Sequence, residues 1–158
     1  MGLALIAVAA ARMARAGGSL SEVLDETRKA MSQVKMLSMF DTLKYAVAGG
    51  RINKSIGKIA SILNIRPMLT FRNGEVVLAG AVRTYSKGVE KLVDFVKRTL
   101  PAQEIGIAHA AAHQAAEKLR QEISLLSPAS NVIVSQMGAS LGAHGGPGLL
   151  LIAVRTRE

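Results

Sequence analysis

IRPMLTFRNGEVVLAGAVRT, residues 65–84, is the passage that decides the fold. Asn73-Gly74 stands between two apolar runs, and Asn-Gly reaches positive φ at low cost, so the passage reads as a β-hairpin. The expected strands are Ile65 to Phe71 and Glu75 to Arg83, joined by the turn Arg72-Asn73-Gly74-Glu75. Downstream, Ser86 is placed to cap a helix with Val89, Leu92, Val93 and Val96 on one face, closed by Leu100-Pro101. Ile105 to Ala108 reads as a strand, and Ala112, Ala115, Ala116, Leu119 and Ile123 form the next helical stripe. Val132 to Ser135 and Leu149 to Val154 are strands, with a glycine-rich loop between them.

Upstream of the hairpin the pattern is mostly helical. A first helix runs from Met1 to the stop signal Gly17-Gly18, and Ser19-Leu20-Ser21-Glu22 is a capping box for a second. Lys35 to Phe40 reads as a short strand. Asp41-Thr42 then caps a third helix through Ala48, which Gly49-Gly50-Arg51 breaks, and a further helix spans Ser55 to Leu63. Glu22 and Glu26 read as an ordinary pair on a solvated helix face. Helices, then a hairpin, then alternating helix and strand predict an α/β domain of two layers, a mixed β-sheet covered by helices. One compact unit over residues 1–158 accommodates all of it.

Composition narrows the function classes. Of 158 residues, 49% are apolar and only 3% aromatic, so the core is built from Ala, Leu, Ile, Val and seven Met. Such an interior accepts an alkyl chain or ordinary packing equally well. With no Cys, disulfide frameworks, thiolate zinc sites and cysteine nucleophiles are excluded, and a reducing cytoplasm is the fitting compartment. The apolar run Met1 to Ala11 has no preceding basic residue, unlike a signal peptide, and Arg12 interrupts it far short of the ~20 residues that cross a bilayer. The formal charge of +9 raises nucleic acid as a partner, yet the basic residues are spread along the chain without stacking aromatics.

Two glycine-flanked residues stand out as ligand contacts. His144 lies within Gly138-Ala-Ser-Leu-Gly-Ala-His144-Gly-Gly-Pro-Gly148, where glycines let backbone approach a ligand and an imidazole can donate to a carboxylate or phosphate. The alternative is a tight strand connection with an idle histidine. Arg51 follows Gly49-Gly50, and its planar fork suits a carboxylate; the alternative is a helix end followed by a solvated side chain. His109 and His113 are spaced for a shared helix face but lack a third ligand, so no metal is expected. Ser140 precedes His144 by four residues with no nucleophile elbow around it and no acid to orient the histidine, and the glycine-rich stretch leads into a strand, unlike a phosphate loop.

At these same residues the chain resembles the DegV family. Asp41-Thr42-Leu43-Lys44-Tyr45 with Gly49-Gly50-Arg51-Ile52 resembles its DTL-Y…GGRI segment, and Ser61 to Leu69 its SLLNIKPIL passage. Val82-Arg83-Thr84 and Gly142-Ala143-His144-Gly145-Gly146-Pro147-Gly148 match its VRT and G-H-GPG signatures, while Ala46-Val47-Ala48 departs from the family's basic residues. The resemblance implies a cytoplasmic bacterial protein of two lobes that encloses a long-chain fatty acid, which some members present to a fatty-acid kinase for phospholipid synthesis. It implies that Arg51 and His144 hold the carboxylate, that Ile62, Leu63 and Ile65 lie along the tail, and that no cofactor beyond the fatty acid is needed. Members are about twice this length. Residues 1–158 therefore correspond to the C-terminal lobe, with 1–16 in the helix joining the lobes, and the face awaiting the N-terminal lobe invites self-association. The resemblance makes the chain a binding module and not an enzyme. Two other readings stand beside it: an enzyme using His144 as acid or base on an acyl or phosphoryl substrate, and a basic nucleic-acid-binding domain.

Overall fold

A computed structural model of the chain describes residues 1–50, 52, 65–72, 74–128 and 130–157. The helix expected over Ser55 to Leu63 falls outside them. Two helices come first, α1 (Gly2–Arg15) and α2 (Leu20–Gln33). The capping box forms: Glu22 Oε2 accepts the Ser19 amide at 2.7 Å, and the Glu22 amide donates to Ser19 Oγ at 3.4 Å. Strand β1 (Val34–Met39) follows directly, then the short α3 (Lys44–Ala48). Asp41 does not cap α3; its carboxylate pairs with Arg66, 2.9 Å from Nε, while Thr42 Oγ1 accepts the Lys44 amide at 3.2 Å.

The hairpin forms as expected, with β2 (Arg66–Arg72) antiparallel to β3 (Glu75–Val82) and Gly74 at φ +81. Next come α4 (Tyr85–Thr99), β4 (Ala102–His109), α5 (His113–Leu126) and β5 (Asn131–Gln136). Thr84, not Ser86, is the N-cap of α4, because its extended backbone aims its hydroxyl at the Lys87 amide, 3.3 Å away, while Ser86 is already inside the first turn. The glycine-rich segment holds a short helix, α6 (Ala139–Gly145), where the sequence reads as loop. Two of its seven residues are Ala, and its glycines sit mainly at the two ends, Gly138 as N-cap and Gly146 at φ +73 as C-cap. The chain finishes in β6 (Leu150–Thr156).

The six strands form one sheet in the order β3-β2-β1-β6-β4-β5. It is mixed as expected: β4 and β5 are parallel through the α5 crossover, and the other pairs are antiparallel. The last strand occupies the middle, between β1 and β4, and Leu150 to Val154 are all buried. Alternation along each strand divides the core in two. Ile105, Ile107, Leu150, Ile152 and Val154 face α4 and α5, packing with Leu92, Val96, Leu119 and Ile123. Their neighbours Ala108, Leu151 and Ala153 face Leu5 of α1. The helical cover of the mixed sheet is thus shared between its two faces.

The α1 and α2 face carries buried charge. Arg155, 3% exposed, donates from Nη2 to Glu26 Oε1 at 2.5 Å and from Nε to Gln33 Oε1 at 2.9 Å. Glu26 therefore has a structural partner, contrary to the solvated pairing with Glu22, because one face of α2 turns toward the sheet. On β4 the fully buried Glu104 forms an ion pair with Arg12 of α1. No helix among the described residues is long and apolar enough to cross a membrane.

Candidate functional site: an apolar groove rimmed by His144

Strand alternation that buries one set of side chains under α4 and α5 turns Met36, Ser38, Leu69, Phe71 and Leu151 to the other face. Beyond the start of α1 the described residues leave this face partly uncovered, around a groove of about 340 Å³. Leu3 of α1 and Leu141 of α6 stand at its edges, both exposed. Among the described lining residues His144 contributes the one ionisable side chain. The groove can therefore accept an apolar chain along its length and a polar end at one place.

Helix α6 sets that place, and it packs against α3. Tyr45 of α3 lies over Gly146, where any Cβ would overlap its ring. Gly49, which ends α3, lies so close to the His144 imidazole that a Cβ there would overlap Nδ1 and Cε1. The structure brings the Gly49-Gly50 turn and the half-buried His144 together. Arg51 itself lies outside the described residues, as do Ile62 and Leu63. Ile65 is not among the groove's described lining residues. Sequence reasoning missed Met36, Leu69, Phe71 and Leu151; the period-two alternation on β1, β2 and β6 was the available signal.

Segment 137–149, which carries His144, is fastened at both ends to the end of β4. The Met137 amide donates to the His109 carbonyl at 2.8 Å, and the Gly148 amide to the Ala110 carbonyl at 2.9 Å. The Ala110 amide in turn donates to the Leu149 carbonyl at 3.1 Å. Near the same end, Arg66 sits between Asp41 and the Tyr85 ring, whose centroid is 5.9 Å from the guanidinium carbon. Burial, helped by the Asp41 charge and opposed by Arg66, pushes the Tyr85 phenol above its ordinary value.

His109 and His113 do not share a helix face. One ends β4 and the other begins α5, with ring centroids 5.5 Å apart. Among the described residues no group of three His, Cys, Asp or Glu side chains could hold a metal ion. The two histidines line a more open cavity of about 760 Å³ on the α4 and α5 side of the sheet. Ser140 is exposed and makes no hydrogen bond to His144, so the two do not form a nucleophile and base pair.

A model of the DegV family, described as uncharacterised proteins, matches residues 1–157. The chain belongs to the DegV family. A DegV domain-containing protein of Streptomyces coelicolor is 33% identical over 99% of this chain and 57% of its own length. One from Caldanaerobacter subterraneus is 28% identical over 93% of this chain and 54% of its own. The chain thus spans about half the length of the curated DegV relatives it matches. Among solved structures, a DegV family protein from Thermus thermophilus described by its fatty acid binding superposes with a TM-score of 0.86. It is 26% identical, with 99% of this chain and 57% of that one covered. A DegV family protein from Corynebacterium glutamicum gives a TM-score of 0.89 at 26% identity, over all of this chain and 61% of that one. The α/β fold with its mixed sheet is therefore the DegV fold.

Proposed function

We propose that this domain binds a long-chain fatty acid, its tail in the apolar groove and its carboxylate held by His144 and Arg51. The observation that carries the reading is a groove lined by apolar side chains with one imidazole at its rim. The tail supplies affinity, about 0.8 kcal/mol for each methylene removed from water. The headgroup supplies selection, because a carboxylate accepts from an imidazole N–H and matches a guanidinium fork. The Thermus thermophilus relative, described by its fatty acid binding, supports the ligand class.

On this reading the protein is a carrier and not an enzyme, and it acts in the cytoplasm with no cofactor beyond the bound acid. In this role His144 orients the carboxylate and does not exchange a proton in a reaction. The carboxylate end lies at the groove's rim, where a fatty-acid kinase can reach it to form the acyl phosphate. On this reading the N-terminal lobe, the half of the relatives this chain does not span, would cover the groove, and exposed Leu3, Phe71 and Leu141 around it are the side chains such a cover would bury. Without that cover, the same face would pair with a second copy.

His144→Ala and Arg51→Ala are each expected to weaken oleate binding by about tenfold, the lower end for a hydrogen bond to a charged group. Oleyl alcohol, which lacks the charge, should lose much less. Isothermal titration with both ligands makes the comparison, and unchanged oleate affinity in both variants would sink the headgroup assignment.

A further inference from the structure

We propose that His109 is a proton-sensitive positioning residue for the His144 segment: its protonation loosens the turn to which both ends of segment 137–149 are fastened. The inference rests on the acid-binding reading, because the segment being positioned carries the proposed headgroup contact.

The geometry begins at the end of β4. His109 is 3% exposed and pairs in register with Gln136 of β5 and Leu150 of β6. Its Nδ1 accepts the Ala112 amide at 3.4 Å, so the neutral ring closes the turn between β4 and α5. Ala111, inside that turn, is held at φ +49, a conformation a residue with a Cβ keeps only when its surroundings impose it. The same turn supplies the groove's fastenings, from the His109 carbonyl to Met137 and from Ala110 to Gly148 and Leu149. Met137 and Leu149 both line the groove, and His144 lies between them in the chain. A change at the His109 ring therefore has a short covalent and hydrogen-bonded route to the groove's rim.

Protonation changes the ring in the one way this turn cannot absorb. An imidazolium carries a hydrogen on Nδ1 as well as Nε2, so Nδ1 can no longer accept the Ala112 amide. The new charge is created next to His113, the first residue of α5, at the positive end of the helix dipole. The other ionisable groups around the His109 cavity are Tyr85 and Glu90 of α4 and Lys118 and Glu122 of α5, with Glu117 also acting on the ring; Gln136 and Leu150 on the flanking strands carry no charge. Burial holds the His109 imidazole below its ordinary range, His113 lowers it further, and Glu117 opposes both. A depressed folded value means that the closed turn is fully present above about pH 6.5, the free imidazole's value, and is lost as pH falls through the lower folded one.

His109→Asn tests this, because the amide oxygen of Asn can take the place of Nδ1 as acceptor and does not titrate. In NMR titrations of the 158-residue chain from pH 7.5 downward, the Met137 and Gly148 amide shifts are expected to follow the His109 ring with one midpoint. Both movements should vanish in His109→Asn, and His113→Asn should move the midpoint upward. Oleate affinity of the unsubstituted chain should fall by up to about tenfold per pH unit below that midpoint, the limit for one coupled proton, and His109→Asn should remove that component. Met137 and Gly148 amides that stay still while the His109 ring titrates would overturn the proposal. If no oleate binds at pH 7.5, the acid-binding reading fails, and the amide titration decides the fastening separately.

Discussion

Glu26→Ala is expected to destabilise the fold by roughly 3–5 kcal/mol, the range for removing one partner of a buried ion pair. The reason lies in what remains. Arg155 is almost wholly buried on the middle strand, and without Glu26 its guanidinium keeps, among the described residues, only the Gln33 side-chain oxygen as a hydrogen-bond acceptor. A guanidinium keeps its proton in proteins, so the buried charge remains. Glu26→Gln retains an acceptor and should cost less. The double change Glu26→Leu with Arg155→Met removes both charges and should recover most of the loss, as exchanges of buried pairs for apolar side chains do. Urea unfolding followed by circular dichroism reads all three variants. A loss below about 1 kcal/mol for Glu26→Ala would place this pair with ordinary surface ion pairs instead.

Gly49→Val is the second large effect, and it falls on binding instead of stability. A single Cβ at position 49 already overlaps the His144 ring, and valine adds two methyl groups beyond it. The clash meets the far end of one half-buried side chain, which can swing away, so the backbone has no need to move. Nor does the backbone at Gly49 itself resist, since its φ of −77 suits any residue. Melting should therefore change little while oleate affinity falls by about tenfold, as in His144→Ala, because the same imidazole contact is lost. If valine at 49 lowers affinity no further in a His144→Ala background, the two changes share one cause. A full additional loss in that background would mean that Gly49 acts independently of the imidazole.

The hairpin was legible because Asn73-Gly74 carries its own turn chemistry between two extended runs. The β4-α5-β5 crossover was legible for a similar reason, a helical stripe between two short apolar runs. The position of β6 was not. Its partners Val34 to Met39 lie more than a hundred residues away in sequence, and nothing local to Leu150 to Val154 says which strands it will separate. Helix α6 was hidden because glycine masks the weak helical preference of Ala139-Ser140-Leu141. The role of Glu26 depended on Arg155 in the same non-local way. At the site, His144 was marked by its glycine-rich setting and the family resemblance, but its contact with Gly49 exists only once α3 and α6 pack. The groove's floor was partly legible, since period two on β1 and β2 sorts Met36, Ser38, Leu69 and Phe71 onto one face, although which face stays open depends on where α1 ends.

The most direct test of the account is denaturing mass spectrometry of lipid extracted from the purified chain, followed by oleate titration of the delipidated protein. The groove predicts a long-chain fatty acid at about one per chain and saturable oleate binding that competes with it. Purified protein free of fatty acid, with no saturable oleate binding, would contradict the claim that the groove beneath His144 is an acyl site.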